Sequence, residues 1–284
     1  MKRKAEIQRL LQLTPGQLLS RAKGRLTILD NLNLLHQHFA ARIAATISEN
    51  NLRSRPTRLI LPVGPFEQYP LLAGIINNKK IDMSNCRFFF MDEYCDDNGK
   101  ALPSRHPLSL RRNIEHNFLP LLQGGCGLKS NQVVFPNRNN LRYLARMIKD
   151  AGGIDICFAG VGIHGHLAFN EPGRGVAYTH PRQVQLNAFT ITMNAIRAGV
   201  GGDLHNFPHK ALTLGMQQLL SARKIFIYCR NDVPGIDWAN AILRLALFGE
   251  PGDDYPVTYI RNKDYHIVTT KDTAAVPKVI LCNC

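Results

Sequence analysis

The chain lacks any apolar run approaching the roughly 18–20 residues of a transmembrane helix, which argues against a membrane-spanning protein. It also lacks a C-x-x-C pair. Its seven cysteines stand at positions 86, 95, 126, 157, 229, 282 and 284, an odd number in which only Cys282 and Cys284 lie close together. That usage excludes a secreted disulfide framework and points to a reduced, cytoplasmic protein. A signal-peptide core is missing as well: the basic start MKRKAEIQRLLQL has too short an apolar stretch, and no small-residue cleavage site follows it. Glu6 and the scarcity of early serines oppose an Arg-rich transit peptide.

Acidic residues are few. Lys and Arg number 35 against 21 Asp and Glu, a formal charge of +14. Part of the excess is local: Lys2, Arg3, Lys4, Arg9, Arg21, Lys23 and Arg25 are opposed by Glu6 alone. The other basic residues are scattered without aromatic interleaving, and neither zinc-finger spacing nor an RNP-type motif occurs. A basic surface that keeps the protein soluble or attracts a small anion is therefore favoured over nucleic-acid binding. No internal repeat, low-complexity tract or long linker divides the 284 residues. The chain reads as a basic N-terminal extension, residues 1–24, followed by one α/β domain, residues 25–284.

What is present is an alternation. After Asp30, a candidate helix cap, Leu32, Leu35, Phe39, Ile43 and Ile47 recur at three- and four-residue steps and make one amphipathic helix face. RLILPVG then reads as a buried strand running into a glycine turn. CRFFFMDEY, IDICFAGVG, KIFIYCR, YHIVTT and KVILC repeat the strand pattern, with helix-like LRYLARMIKDAG and IDWANAILRLALFG between them. This order predicts a mainly parallel, doubly wound sheet with helices on both faces.

Ligands of such sheets bind beyond the C-terminal ends of the strands, where the chemically interesting residues fall. Gly64 follows LILPV, Asp92 and Glu93 follow FFFM, and His164, Gly165, His166 and Glu171 follow ICFAGVG. Glycine, paired carboxylates and a His/Glu set converging on one pocket suit acid–base chemistry on a small polar molecule. Each piece has a plainer explanation: a solvated strand end for Asp92-Glu93, a tight turn for Gly160, Gly162 and Gly165. GVGIHG lacks the acidic residue at the next strand end that would read a dinucleotide ribose. The histidines and carboxylates could ligate zinc or iron, but no H-x-x-x-H helix or Cys pattern supports a metal, and none is expected.

FFFMDEY, GGIDICFAGVG, GHLAFNEPG and KALTLGMQQLLSARKIFIY together resemble the glucosamine-6-phosphate deaminase/isomerase family, in its order and approximate spacing, from about Arg25 to about Gly249. The 6-phosphogluconolactonases share that fold but would read closer to GHTASLFPG, and Phe169-Asn170-Glu171-Pro172 places the chain on the deaminase side. The resemblance implies a sugar or sugar phosphate as ligand. It also implies ring opening, aldose–ketose isomerisation and loss of ammonia from a 2-amino-sugar phosphate, without metal or organic cofactor, and it leaves a homo-oligomer open. By the same token Asp92 would carry the C2 proton toward C1, His166 would assist ring opening, and Glu171 would orient or charge-balance His166.

The chain departs from the family pattern in one corner. The position of His164 is usually an aspartate, whose charge fixes the neighbouring imidazole; a second imidazole cannot supply it. The first phosphate loop, usually close to T-G-G/S-T-P, here reads Val63-Gly64-Pro65-Phe66-Glu67. A lysine expected before WANAILRLALFG is missing, for none occurs between Lys224 and Lys263, and Asp237 or Trp238 lies there instead. Arg197 falls near the family's phosphate-binding arginine. A changed ligand is therefore expected, with a non-catalytic sugar-binding protein on the same fold as the alternative.

Overall fold

The computed structural model describes residues 2–281. In chain order the chain forms α1 (Lys2–Leu11), α2 (Pro15–Ala22), β1 (Leu26–Leu29), α3 (Leu32–Leu52), β2 (Thr57–Leu61), α4 (Gln68–Lys79), β3 (Cys86–Phe90) and β4 (Asp92–Cys95). There follow α5 (Leu110–Asn117), β5 (Val133–Val134), α6 (Leu144–Asp150), β6 (Ile156–Gly160), β7 (Arg182–Gln185), α7 (Ala188–Ala198) and β8 (Lys210–Thr213). The last elements are α8 (Met216–Leu220), β9 (Lys224–Tyr228), α9 (Ala239–Phe248), β10 (Tyr265–Thr270) and α10 (Lys271–Ala274).

Seven strands pair in parallel in the order β1-β10-β9-β6-β2-β3-β5. The side-chain period of two divides each strand between two cores. Ile60, Phe89, Cys157, Ile225 and Ile267 face the core closed by Leu10, Leu18, Leu144, Leu219 and Leu243. Leu59, Phe88, Phe90, Phe158 and Phe226 face the other, closed by Leu35, Phe39, Ile43, Leu72 and Ile114. Burial on both faces is why these strands read as continuous apolar runs. The doubly wound sheet with helices on both faces is as the sequence predicts.

β2 runs to β3 on one side, and β6 then returns to its other side, so the direction of winding reverses between β2 and β6. Such a reversal parts the connecting loops and leaves a crevice at the C-terminal strand ends.

Three readings need correction. CRFFFMDEY is not one strand. After β3 the chain leaves the main sheet at Met91, and Asp92–Cys95 pairs antiparallel with β8 in a second sheet, β4-β8-β7, with Asp92 opposite Thr213. Tyr94, Phe169, Leu186, Ile191 and Phe207 form a separate small core there, too far apart in sequence to show a period. Asp30 is not the cap of α3: the side chain of Asn31 accepts the Leu34 N–H at 3.0 Å. KVILC is not a strand either, because residues 278–281 carry no regular structure and Val279 and Leu281 are 73% and 77% exposed. Cys282 and Cys284 lie outside the described residues.

Residues 2–24 form two helices packed on the body. Leu10, Leu13, Leu18 and Ala22 are buried in the first core. Arg244, wholly buried in α9, donates to the carbonyls of Leu13, Asn240 and Ala274 at 2.6, 2.9 and 3.0 Å. Among the described residues no helix is long and apolar enough to cross a membrane.

Candidate active site

The crevice between β2 and β6 opens into a cavity of about 910 Å³. Gly64, Asp92, His166, Arg197, Arg230 and Asp232 line it, each from a segment that follows a strand of the main sheet or packs over its C-terminal edge.

Asp92 is held there because the three phenylalanines of β3 are buried and Met91 is tied on both sides. The Met91 N–H donates to the Leu61 carbonyl at 3.1 Å, and its carbonyl accepts from the Leu214 N–H at 2.8 Å. Asp92 is buried, 7% exposed, and among the described residues no N–H or O–H donates to its carboxylate. Burial, and next the charge of Glu93, push its pKa up to about 8. A carboxyl group in that range can both accept and return a proton near neutrality.

Glu93 points the other way. Its two oxygens accept from the N–H groups of Tyr94, Leu110 and Arg111 and from the Ser109 hydroxyl, at 2.7 to 2.9 Å. It thereby fastens the N-terminus of α5 to β4 and does not line the cavity. Gly165 is also turned away. Its φ of 74° lies in the left-handed region, and a Cβ there would meet Val257 Cγ1 at 3.1 Å, so this glycine makes the turn and packs on the loop after α9.

Gly162 has a different reason. A Cβ at that position would lie 1.9 Å from Nε2 of His166, so the imidazole occupies the space that glycine leaves. His166 Nδ1 meets His164 Nδ1 at 3.1 Å. His164 Nε2 in turn faces the Asn187 side-chain amide nitrogen at 2.7 Å and the Thr190 hydroxyl at 3.4 Å. Glu171 accepts the Asn187 backbone N–H with both oxygens, at 3.0 and 3.2 Å. One ligand atom each of His164, His166 and Glu171 fall within 4.8 Å of one another. The three residues are thus brought together, with only His166 reaching the cavity wall. Burial, and after it the neighbouring His164 and Arg197, push the His166 pKa well below its ordinary value.

On the same cavity wall Arg197 lies edge-on to Asp232, with Nε 3.1 Å from Oδ2 and Nη2 2.9 Å from Oδ1. It also donates to Asn194 and stacks over Trp238. Arg230, buried at the end of β9, places Nη2 3.1 Å from the same carboxylate. The loop after β2 offers little to an anion: the Phe66 N–H donates to the Glu67 carboxylate at 3.0 Å, and Pro65 has no N–H. Arg230, Asp232 and Asn187 were not singled out in the sequence. The strand-end rule applied to KIFIYCR would have found Arg230; Asn187 carries no local signal beyond being a helix cap.

No protein-family model matches the chain. The glucosamine-6-phosphate deaminase of Caenorhabditis elegans is 31% identical over 208 residues, covering 72% of this chain and 74% of that one. Among solved structures, a monomeric glucosamine-6-phosphate deaminase described as a missing link of the NagB superfamily superposes with a TM-score of 0.76. It is 23% identical and covers 89% of this chain and 100% of that one. A 6-phosphogluconolactonase from Thermotoga maritima gives a TM-score of 0.61 at 18% identity, covering 86% of this chain and 98% of its own, so the fold extends to that group. On the curated relative's identity and coverage, the chain belongs to the glucosamine-6-phosphate deaminase family.

Proposed function

We propose that the cavity carries out acid–base aldose–ketose isomerisation and deamination of an amino sugar, with the subsite of Arg197 and Arg230 altered from one built for phosphate. The observation that carries the reading is the buried Asp92 carboxyl, without a hydrogen-bond donor among the described residues and poised near neutrality on a cavity wall shared with His166. In this scheme Asp92 takes the proton from C2 of the open-chain amino aldose and returns it to C1, while one proton of the C2 amine passes to the C1 oxygen, which becomes a hydroxyl. The C2 imine so formed adds water and releases ammonia, with no change in oxidation state summed over C1 and C2. His166 acts at the sugar's oxygen functions, and Glu171 supports the turn behind it through Asn187.

The corner around Asp232 argues for a ligand less charged than a phosphate dianion. Arg197 and Arg230 are the cations of that corner, and Asp232 and Glu67 offset them. A phosphate bound there would meet two guanidinium groups already paired and a loop whose Phe66 N–H is already used. A sugar ending in a neutral hydroxyl or a single negative charge fits without displacing Asp232.

The test is solvent exchange of the C2 proton together with ammonia release, measured on hexosamines with and without a 6-phosphate. Exchange and ammonia release on an amino sugar, both lost in Asp92→Asn, are expected. Thermal stabilisation by a sugar with no exchange at C2 would instead establish a non-catalytic sugar-binding protein.

A further inference from the structure

The hydrogen bonds behind His166 form a chain whose polarity can be read from one fixed end. Asn187 caps α7, its Oδ1 accepting the Thr190 N–H at 3.0 Å. Turning the amide over would set its NH2 against that N–H, donor against donor, so the orientation of this amide is determined. The Nδ2 group can only donate, and it lies 2.7 Å from His164 Nε2. His164 Nε2 therefore offers its lone pair, and the Thr190 hydroxyl at 3.4 Å approaches the same nitrogen. A neutral imidazole with a bare Nε2 carries its proton on Nδ1. That proton points at His166 Nδ1, 3.1 Å away, which must accept it. The remaining proton of a neutral His166 then sits on Nε2, over Gly162 and on the cavity wall, where no described residue bonds to it.

We propose that Asn187 and His164 lock His166 in the Nε2–H tautomer, so that it serves the substrate as a fixed, neutral hydrogen-bond donor and not as a proton acceptor. Asn187 and His164 are positioning residues in this arrangement. The inference rests on the reading of the cavity as a sugar isomerase site. An aspartate at position 164, as the family resemblance implies, would have the opposite effect: it would accept from His166 Nδ1 and leave Nε2 bare to act as a base. Here a neutral N–H polarises a sugar oxygen, and a donor aimed at developing negative charge is what enolisation needs while Asp92 removes the neighbouring proton. Ring opening gains no base from His166, so the open-chain form is the species this site is built to use. The same chain of bonds opposes a metal ion on His164, His166 and Glu171, because both nitrogens of His164 are engaged in hydrogen bonds that ligation would break.

The test is 15N NMR of the full-length protein with labelled histidine, at a pH where His166 is neutral, the His166 signals being identified by their loss in His166→Gln. The expected result is a protonated Nε2 and a bare Nδ1. His164→Asp supplies an acceptor to Nδ1 and should reverse the pattern. Asn187→Asp keeps the helix cap but turns the end of the chain into an acceptor, and should reverse it too. A protonated Nδ1 in the unaltered protein, or the same tautomer in all three proteins, would overturn the proposal. The readout needs no turnover. An Nε2–H tautomer in a protein that exchanges no sugar proton would count against the isomerase reading and leave the relay standing.

Discussion

Arg197 and Asp232 meet edge to edge at 2.9 and 3.1 Å, and Arg230 approaches the same carboxylate from the other side at 3.1 Å. One acid thus holds the two arginines of this corner of the cavity. Its removal should convert the corner from neutral to cationic. Asp232→Asn is expected to strengthen binding of inorganic phosphate about tenfold, equivalent to about 1.4 kcal/mol, measured by calorimetry at low salt. Unchanged phosphate affinity would show that Asp232 does not tune this subsite.

Asp92 makes stability depend on pH with a definite sign. Its folded pKa of about 8 lies above the unfolded carboxylate value, so the folded state keeps a proton that the unfolded chain releases. Its contribution is fully present below about pH 4 and is lost progressively until about pH 8. Asp92→Asn should remove that loss, flattening the decline in unfolding free energy between pH 5 and 8 by roughly 1–3 kcal/mol in urea titrations. Turnover should fall by about 10²–10⁴ in the same variant. In the unaltered protein kcat/KM should rise with pH toward about 8, as Asp92 becomes able to accept a proton.

Gly162 leaves its Cβ position to the His166 ring. Its backbone is not left-handed, so alanine is tolerated by the chain itself but must displace the imidazole. Gly162→Ala should lower turnover on the order of 100-fold, with a near-native far-UV CD spectrum and altered His166 resonances. Full activity would mean that the imidazole has another productive position.

Arg244 joins the N-terminal helices to the body through the Leu13 and Ala274 carbonyls. Methionine would fill much of the volume but supply no donor. Arg244→Met should destabilise the protein by about 2–4 kcal/mol, because buried carbonyls lose their partners. Proteolysis should then begin in residues 2–24. A stability change under about 1 kcal/mol, inside the common range for single substitutions, would show that apolar packing alone holds this segment.

The sheet was legible in the sequence because a strand buried on both faces must be apolar at nearly every position. That rule marked the five strands β2, β3, β6, β9 and β10 by composition alone. It missed β1 and β5 at the two edges of the main sheet and β4, β7 and β8, whose pairing in the small sheet depends on partners about 25 to 120 residues away, and it over-read KVILC, where apolar composition found no neighbouring strand. Position at strand ends likewise marked Asp92 and His166, whereas Arg197, in the last turn of α7, was marked by the family resemblance alone. Sequence did not say which way those side chains would turn. Glu93 follows Asp92 directly, yet alternation along β4 sends one carboxylate to the cavity and the other to the N-terminus of α5. The replacement of an expected aspartate by His164 was visible as a letter, but its meaning depended on Asn187, 23 positions later and adjacent only in the folded chain. Composition and period thus determined the layers and the strand ends, because these follow from local burial. The tertiary structure decided polarity, the direction of a proton on an imidazole and the pairing of an arginine, because hydrogen bonds and charges take their sense from whatever the fold places beside them.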